Sequence, residues 1–357
     1  MRRIRNRCYI LSSLATLLVC TATAFSATDA LHYVNHWHLH QPIYWPMPSR
    51  AGIQRWELAP ESIDYKNTNP WAGHPANDLG AIFGKDDRVA AYQSRPRDAL
   101  STITSYPEAG FTVSYTGALA MNVKALGDQY RLGYSPDWKT PWREARGWTT
   151  VGGKSRMNIV LTGFHHPFFP LLPDDTVARR YIQLYKAIYG EAWGTAVPMS
   201  TGFWPLELAF SERMIPILKS EGINWTYVAN SHLSRCLSNW PATPGNGMNT
   251  EPPNKAGQPN GTGSVWRNAS IDGRPTTNEL RFSYRPHYAQ YIDPETGTPS
   301  KIIVVPCADY EGYVDGYSAF PVDLFDELLR RLRLGNHHLL FLHMMVTMRG
   351  VAVMIRI

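Results

Sequence analysis

Apolar positions recur along the chain in two textures, short runs with a period near two and longer runs with a period near 3.6, and the textures alternate. The first run, roughly His32 to His40, predicts a strand, and a Pro- and Trp-rich loop follows it. Phe111 to Tyr115 predicts a second strand leading into a helix near Ala118 to Leu126, and Met157 to Thr162 a third strand. Val177 to Tyr189 places Ile182, Leu184, Tyr185 and Ile188 at helical spacing and predicts a helix ending before Gly190. Ser211 to Ser220 reads as a short helix with Ser211 as N-cap and Gly222 just past its end. Thr226 to Ala229 and Ile302 to Val305 are further strands, Val322 to Leu334 is an amphipathic helix closed by Gly335, and His338 to His343 starts one more strand. Strand and helix in alternation predict an α/β fold of parallel strands with helical crossovers, and a barrel is the commonest closed form at this length. Between Ser238 and about Glu279 Pro, Gly, Asn and Thr dominate; this stretch reads as a long insertion with too few apolar residues for a core of its own.

Composition narrows the picture. At 44% hydrophobic and 18% charged residues, a chain of 357 residues can bury a sizeable core. The formal net charge of +6 is concentrated at the start, in Arg2, Arg3, Arg5 and Arg7, and no basic stripe of the kind that binds nucleic acid appears elsewhere. That basic start, the apolar stretch from Tyr9 to about Cys20 and the small residues Thr21 to Ala24 predict a signal peptide over residues 1–26. The expected location is therefore periplasmic or extracellular, with no stable membrane insertion once the signal is removed. Cys236 and Cys307 remain; neither has a metal-like spacing, and sequence alone does not say whether they pair.

Four segments can carry chemistry. In His36-Trp37-His38-Leu39-His40-Gln41-Pro42, alternation on a strand puts His36, His38 and His40 on one face, for a metal, for sugar hydroxyls, or as satisfied polar groups of a barrel mouth. No companion carboxylate is identifiable by spacing, which weakens the metal option. In Gly202-Phe203-Trp204-Pro205-Leu206-Glu207, Glu207 follows a strand and precedes a helix, which in a barrel is the face where catalytic groups gather; an ordinary first-turn Glu is the plain alternative. Trp204 and Pro205 crowd that carboxyl, to desolvate it or to stack on a sugar. The segment Gly163 to Leu172, with His165 and His166, forms a cleft wall or a packed corner. Asp309, with Glu311 and Asp315 nearby, follows the apolar strand ending at Pro306 and offers a general acid or a solvated loop.

Taken together and in this order, the His38-Leu-His40-Gln-Pro42 segment, His165-His-Pro-Phe-Phe-Pro-Leu-Leu172 and Gly202-Phe-Trp-Pro-Leu-Glu207 resemble glycoside hydrolase family 57, over about His32 to Ala319. The resemblance implies a (β/α)7 barrel acting on poly- or oligosaccharides of α-linked glucose with retention of configuration, without a catalytic metal or other cofactor. It puts Glu207 at the nucleophile position, His40 and His166 at positions lining the sugar site, and Trp204 beside the nucleophile. His38, and with less specificity His232 and Arg235 in Asn230-Ser-His232-Leu-Ser-Arg235, are further substrate-binding candidates. Two alternatives stay open: a metal-dependent polysaccharide deacetylase, using His38, His40 and a carboxylate, and a glycan-binding protein without turnover.

The last residues break the pattern. Met344-Met345-Val346-Thr347-Met348 back-translates to ATG ATG GTN ACN ATG, and shifting by one base permits His-Asp-Gly-Asp-Asn-Ala-Gly-Gly-Gly, an acidic, Gly-rich string suited to a barrel mouth. The expectation is a change of reading frame near His343, with 344–357 an out-of-frame tail, an incomplete barrel over 27–343, and the true acid either Asp309 or an Asp of the other frame.

Overall fold

The structure is a computed structural model that describes residues 32–47, 50, 55–236, 282–308 and 340–346. Strand β1 (His32–Leu39) pairs in parallel with β2 (Phe111–Tyr115) on one side and β8 (Leu340–Val346) on the other. Beyond β2 lies β3 (Met157–Ile159), also parallel. A second sheet runs β4 (Gly202–Phe203), β5 (Trp225–Ala229), β7 (Pro299–Cys307) and β6 (His287–Ile292), parallel except for the β6–β7 hairpin. A parallel bridge between Leu161 and Phe203 joins the two sheets on one side, and β7 lies against β8 on the other.

Helices connect the strands. Between β1 and β2 come α1 (Ala59–Thr68), α2 (Leu79–Gly84), α3 (Asp86–Gln93) and α4 (Arg95–Ser101). Between β2 and β3 come α5 (Gly117–Asp128) and α6 (Thr140–Gly147); α7 (Asp175–Trp193) leads to β4, α8 (Met214–Ser220) to β5, and α9 (Asn230–Ser234) follows β5. The mixed α/β class and the parallel strands agree with the sequence pattern. Helix Val322–Leu334 and the 238–279 insertion lie outside the described residues.

Period two sorts the strand side chains. On β1 and β2, Trp37, Leu39, Phe111, Val113 and Tyr115 face the helices and are buried, with Trp37 stacked on Phe111 at 4.9 Å. Tyr115 is boxed by Trp138, Trp142 and Trp193 at ring separations of 5.0–6.1 Å, which locks β2 to α6 and α7. Each such fully buried large side chain contributes on the order of 1.5–3 kcal/mol by leaving water. The intervening positions, His36, His38, Thr112 and Ser114, carry polar groups on the opposite face.

Several elements depart from their expected bounds for identifiable reasons. Helix α7 begins at Asp175 because the Asp174 carboxylate caps the Val177 amide at 2.9 Å. It runs through Gly190, a cost of about 1 kcal/mol, because the next turn buries Trp193, and it stops at Gly194, whose φ of 76° suits glycine. Helix α8 starts at Met214 and not at Ser211, since a tight turn intervenes. Strand β8 is paired through Val346, three residues beyond the expected end, with His36 opposite Met344 and His38 opposite Val346. No disulfide joins Cys236, which is exposed, to Cys307, which is buried.

Gly202 shows how closely β4 and β5 approach. A Cβ there would stand 2.1 Å from the Trp225 ring. Gly202→Ala should therefore cost about 1–3 kcal/mol through overpacking, read as a lowered urea midpoint with unchanged m-value.

Candidate active site

His36 and His38 of β1 and His40 just past its end are not equivalent. They meet hydroxyls placed at the same period on β2 and just past it: His36 and His38 are in register with Thr112 and Ser114. His36 Nδ1 lies 2.8 Å from Thr112 Oγ1, and its Nε2 lies 2.9 Å from Ser114 Oγ. His38 Nδ1 reaches the same Ser114 Oγ at 2.8 Å, and His40 Nδ1 reaches Thr116 Oγ1 at 2.9 Å. Tyr227 of β5 adds its hydroxyl to Thr112 at 2.9 Å. Exposure rises from 0% at His36 to 7% at His38, and His40 is half-buried.

A second set of residues arrives from β3 and β4. Past β3, Leu161 N donates to Gly202 O and Trp204 N donates to Leu161 O at 2.7 Å, while Thr162 Oγ1 donates to Trp204 O at 3.0 Å. These bonds zip the His165–His166 segment to the Glu207 segment. His166 Nε2 then lies 3.2 Å from His38 Nε2 and 3.4 Å from Glu207 Oε1, and its ring packs on His40 at 4.3 Å.

Glu207 sits in a single 3₁₀ turn, Leu206–Leu208, and not in the first turn of an α-helix. Its φ, ψ of 55°, 24° are left-handed, as is the φ of 53° at Leu208. Leu206 and Leu208 are both buried, at 1% and 4% exposure, and the backbone turns left-handed between these anchors while the glutamate stands outward, its side chain 58% exposed. Non-glycine residues in this region cost on the order of 1–3 kcal/mol and persist where packing imposes them. The carboxylate is thus not desolvated by Trp204 and Pro205, contrary to one sequence expectation.

Trp204 takes a different place from the one foreseen. It is 1% exposed, with His36 stacked on its face at 4.2 Å and His38 at 5.5 Å, so it is the floor beneath the histidines, with no face left for a sugar. His232 and Arg235 are half-buried on and just after α9, at the same strand ends as Glu207. Asp309, Glu311 and Asp315 lie outside the described residues; β7, which leads to them, ends at Cys307 opposite Ala229. The sequence reading missed Thr112, Ser114, Thr116 and Tyr227. The signal for the first three was present, as hydroxyls at every second position of Phe111-Thr-Val-Ser-Tyr-Thr116.

For a metal, the arrangement is poor. His38 and His40 stack nearly parallel with centroids 6.3 Å apart, and each has its Nδ1 on a hydroxyl. Among the described residues, no group of three or more His, Cys, Asp or Glu side chains is arranged to hold an ion. Burial holds His36 and His38 well below the usual histidine range, with His38 pushed further by His166, His40 and His36. Burial, then the His166 and His165 charges, takes His40 down to about 3. His166 is lowered by burial while Glu207 pulls it back up.

These histidines are thus neutral in the folded chain near pH 7, whereas in the unfolded chain they protonate near about 6.5. Below that value the unfolded state binds more protons, so the stability contribution is complete above pH 6.5 and is lost as pH falls toward the folded values. The urea midpoint should fall between pH 6.5 and 5, and the fall should be shallower in His40→Gln.

The family model of Glycosyl hydrolase family 57 matches residues 36–249. An alpha-amylase of Niallia circulans is 30% identical over an alignment of 334 residues that covers 85% of this chain and 26% of the relative, so the chain spans 26% of the length of the curated relative it matches. Among solved structures, the 4-alpha-glucanotransferase of Thermococcus litoralis superposes with a TM-score of 0.49 at 17% identity, covering 88% of this chain and 33% of that one. The exo-type maltose-forming amylase of Pyrococcus sp. ST04 superposes at 0.45 with 14% identity, covering 88% and 42%. The family match takes in more than half of the chain, with His36, His38, His40, His166 and the Glu207 turn all inside it, and the chain belongs to glycosyl hydrolase family 57.

Proposed function

We propose that the chain is the barrel portion of an exported, retaining glycoside hydrolase or glucanotransferase acting on α-linked glucans, with Glu207 as its nucleophile. The observation that carries this reading is the Glu207 carboxylate itself. It stands outward on a left-handed turn at the strand ends, with His166 Nε2 at 3.4 Å. The export part rests on the sequence of residues 1–26 alone. The strand order supports a seven-stranded parallel barrel, β1-β2-β3-β4-β5-β7-β8, with β6 as an antiparallel appendage of β7.

In the first step a Glu207 oxygen attacks the anomeric carbon as the glycosidic C–O bond breaks, and a second carboxyl about 5–5.5 Å away protonates the departing oxygen. Water then attacks the glycosyl ester with that second group as base, or a sugar hydroxyl does so in transfer. His40 and His166, half-buried at the rim, are placed to hydrogen-bond sugar hydroxyls, with His232 and Arg235 on the neighbouring strand end. The acid is assigned to Asp309 or its neighbours Glu311 and Asp315, or to an aspartate of the frame that begins near His343, which would replace the last residues of β8. A single-base discrepancy found by resequencing across the His343 codon selects the second; an unchanged frame leaves Asp309 or a neighbour, or a chain that only binds sugar.

The deacetylase alternative needs His38 and His40 to converge on one ion, which their parallel, hydroxyl-anchored rings do not do. A test of Glu207 independent of the acid uses an α-maltosyl fluoride, because fluoride leaves without protonation. Mass spectrometry after brief exposure should find a glycosyl ester on the Glu207 peptide and none in Glu207→Gln. A label on another residue, or an equal label in the variant, would overturn the assignment.

A further inference from the structure

A chain of side chains runs from the barrel interior toward the Glu207 carboxylate, hydrogen-bonded as far as His166 and closed by a 3.4 Å ion-pair contact, and both of its ends are groups that can only accept. At the inner end Thr112 Oγ1 donates to the main-chain carbonyl of Asn35 at 3.2 Å. From Thr112 the links pass through His36, Ser114, His38 and His166 to Glu207, at 2.8, 2.9, 2.8, 3.2 and 3.4 Å.

The proton on each link follows from these ends. With its own proton on Asn35 O, Thr112 accepts from His36 Nδ1–H and from the Tyr227 hydroxyl. A neutral His36 then has a bare Nε2, which accepts from Ser114, and Ser114 in turn accepts from His38 Nδ1–H. His38 presents a bare Nε2 to His166, so His166 Nε2 must carry the proton. That one proton is held by His38 Nε2 at 3.2 Å, with Glu207 Oε1 beside it in a looser contact at 3.4 Å, and these two are the longest links between His36 and the carboxylate. Reversing the chain would aim a bare His166 nitrogen at the carboxylate and leave Thr112 without its carbonyl acceptor. The neutral state of both buried rings agrees with this pattern, since burial disfavours their charged forms.

We propose that Thr112 and Ser114 are positioning residues that fix the proton on Nδ1 of His36 and His38 and thereby hold His166 as a hydrogen-bond donor toward Glu207. The catalytic meaning rests on the nucleophile reading above, for which a carboxylate facing a donor stays ionised and aimed; the proton pattern itself does not.

The test is long-range 15N–1H correlation spectroscopy of the 15N-histidine-labelled 357-residue chain at pH 7.5 without substrate. His36 and His38 should each show the Nδ1–H tautomer and His166 an Nε2–H. Thr112→Val keeps the shape and removes the hydroxyl; it should move His36 and His38 together toward Nε2–H, and Thr112→Ser should restore both. Ser114→Ala should release His38 and leave His36 as Nδ1–H, because Thr112 still holds it. Nε2–H on His36 or His38 in the parent chain, or an unchanged His38 in a folded Thr112→Val, would overturn the proposal. The parent spectrum decides the matter even if Thr112→Val does not fold. Since no turnover enters the readout, failed labelling of Glu207 alongside the expected tautomers would sink the nucleophile reading and leave the proton chain standing.

Discussion

The register between β1 and β2 is the constraint on which the site depends. Burying an imidazole without hydrogen-bond partners costs roughly 1–3 kcal/mol for each unsatisfied nitrogen, and β1 carries His36 and His38 into the interior. The cost is met because Thr112 and Ser114 stand opposite them. A slip of one residue would set Phe111, Val113 and Tyr115 against the histidines and turn the hydroxyls toward the aromatic box of Trp138, Trp142 and Trp193. Core packing on one face and polar pairing on the other thus enforce the same alignment.

That alignment propagates outward through Trp204. Its ring is fully enclosed under His36 and His38, while its main chain is tied to Leu161 and Thr162. The histidine ladder, the His166 segment and the Glu207 turn are therefore held against one buried indole. Two residues further on, the Leu206 and Leu208 side chains are buried on either side of Glu207, and the left-handed backbone is the consequence. Strain of this kind is tolerated because the anchors on both sides are worth more than it costs.

The sequence was most legible where burial imposes a clean period. Phe111–Tyr115 was placed to the residue, and the centre of α7 was evident from Ile182, Tyr185 and Ile188. It was least legible over α1 to α4, which are short, mix charged and apolar residues irregularly, and bury few side chains each. Strand β6 alternates half-buried and exposed residues, and its partner is an adjacent strand across an Asp293–Thr298 turn, so it has little apolar signature of its own. At the site, residue types and order pointed to Glu207, His40 and His166, but not to the role of Trp204. An aromatic residue beside a candidate nucleophile reads as a sugar platform until its burial is known. Nor did the pattern reveal the β2 hydroxyls, since Thr and Ser in a strand carry meaning only once the register shows what they face.

Depth is the property that periodicity cannot supply. His36, His38 and His40 share one face by the rule of two, and by sequence any of them could meet a ligand. The structure ranks them: His36 is sealed between Trp204 and Tyr227, His38 is joined to His166 and buried, and His40 is the most exposed of the three. Access to the surface is therefore left to His40 and His166, while the inner two are held among buried side chains. A motif of three histidines is in this chain one half-buried residue and two enclosed ones, and the distinction comes from Trp204 closing the floor beneath them.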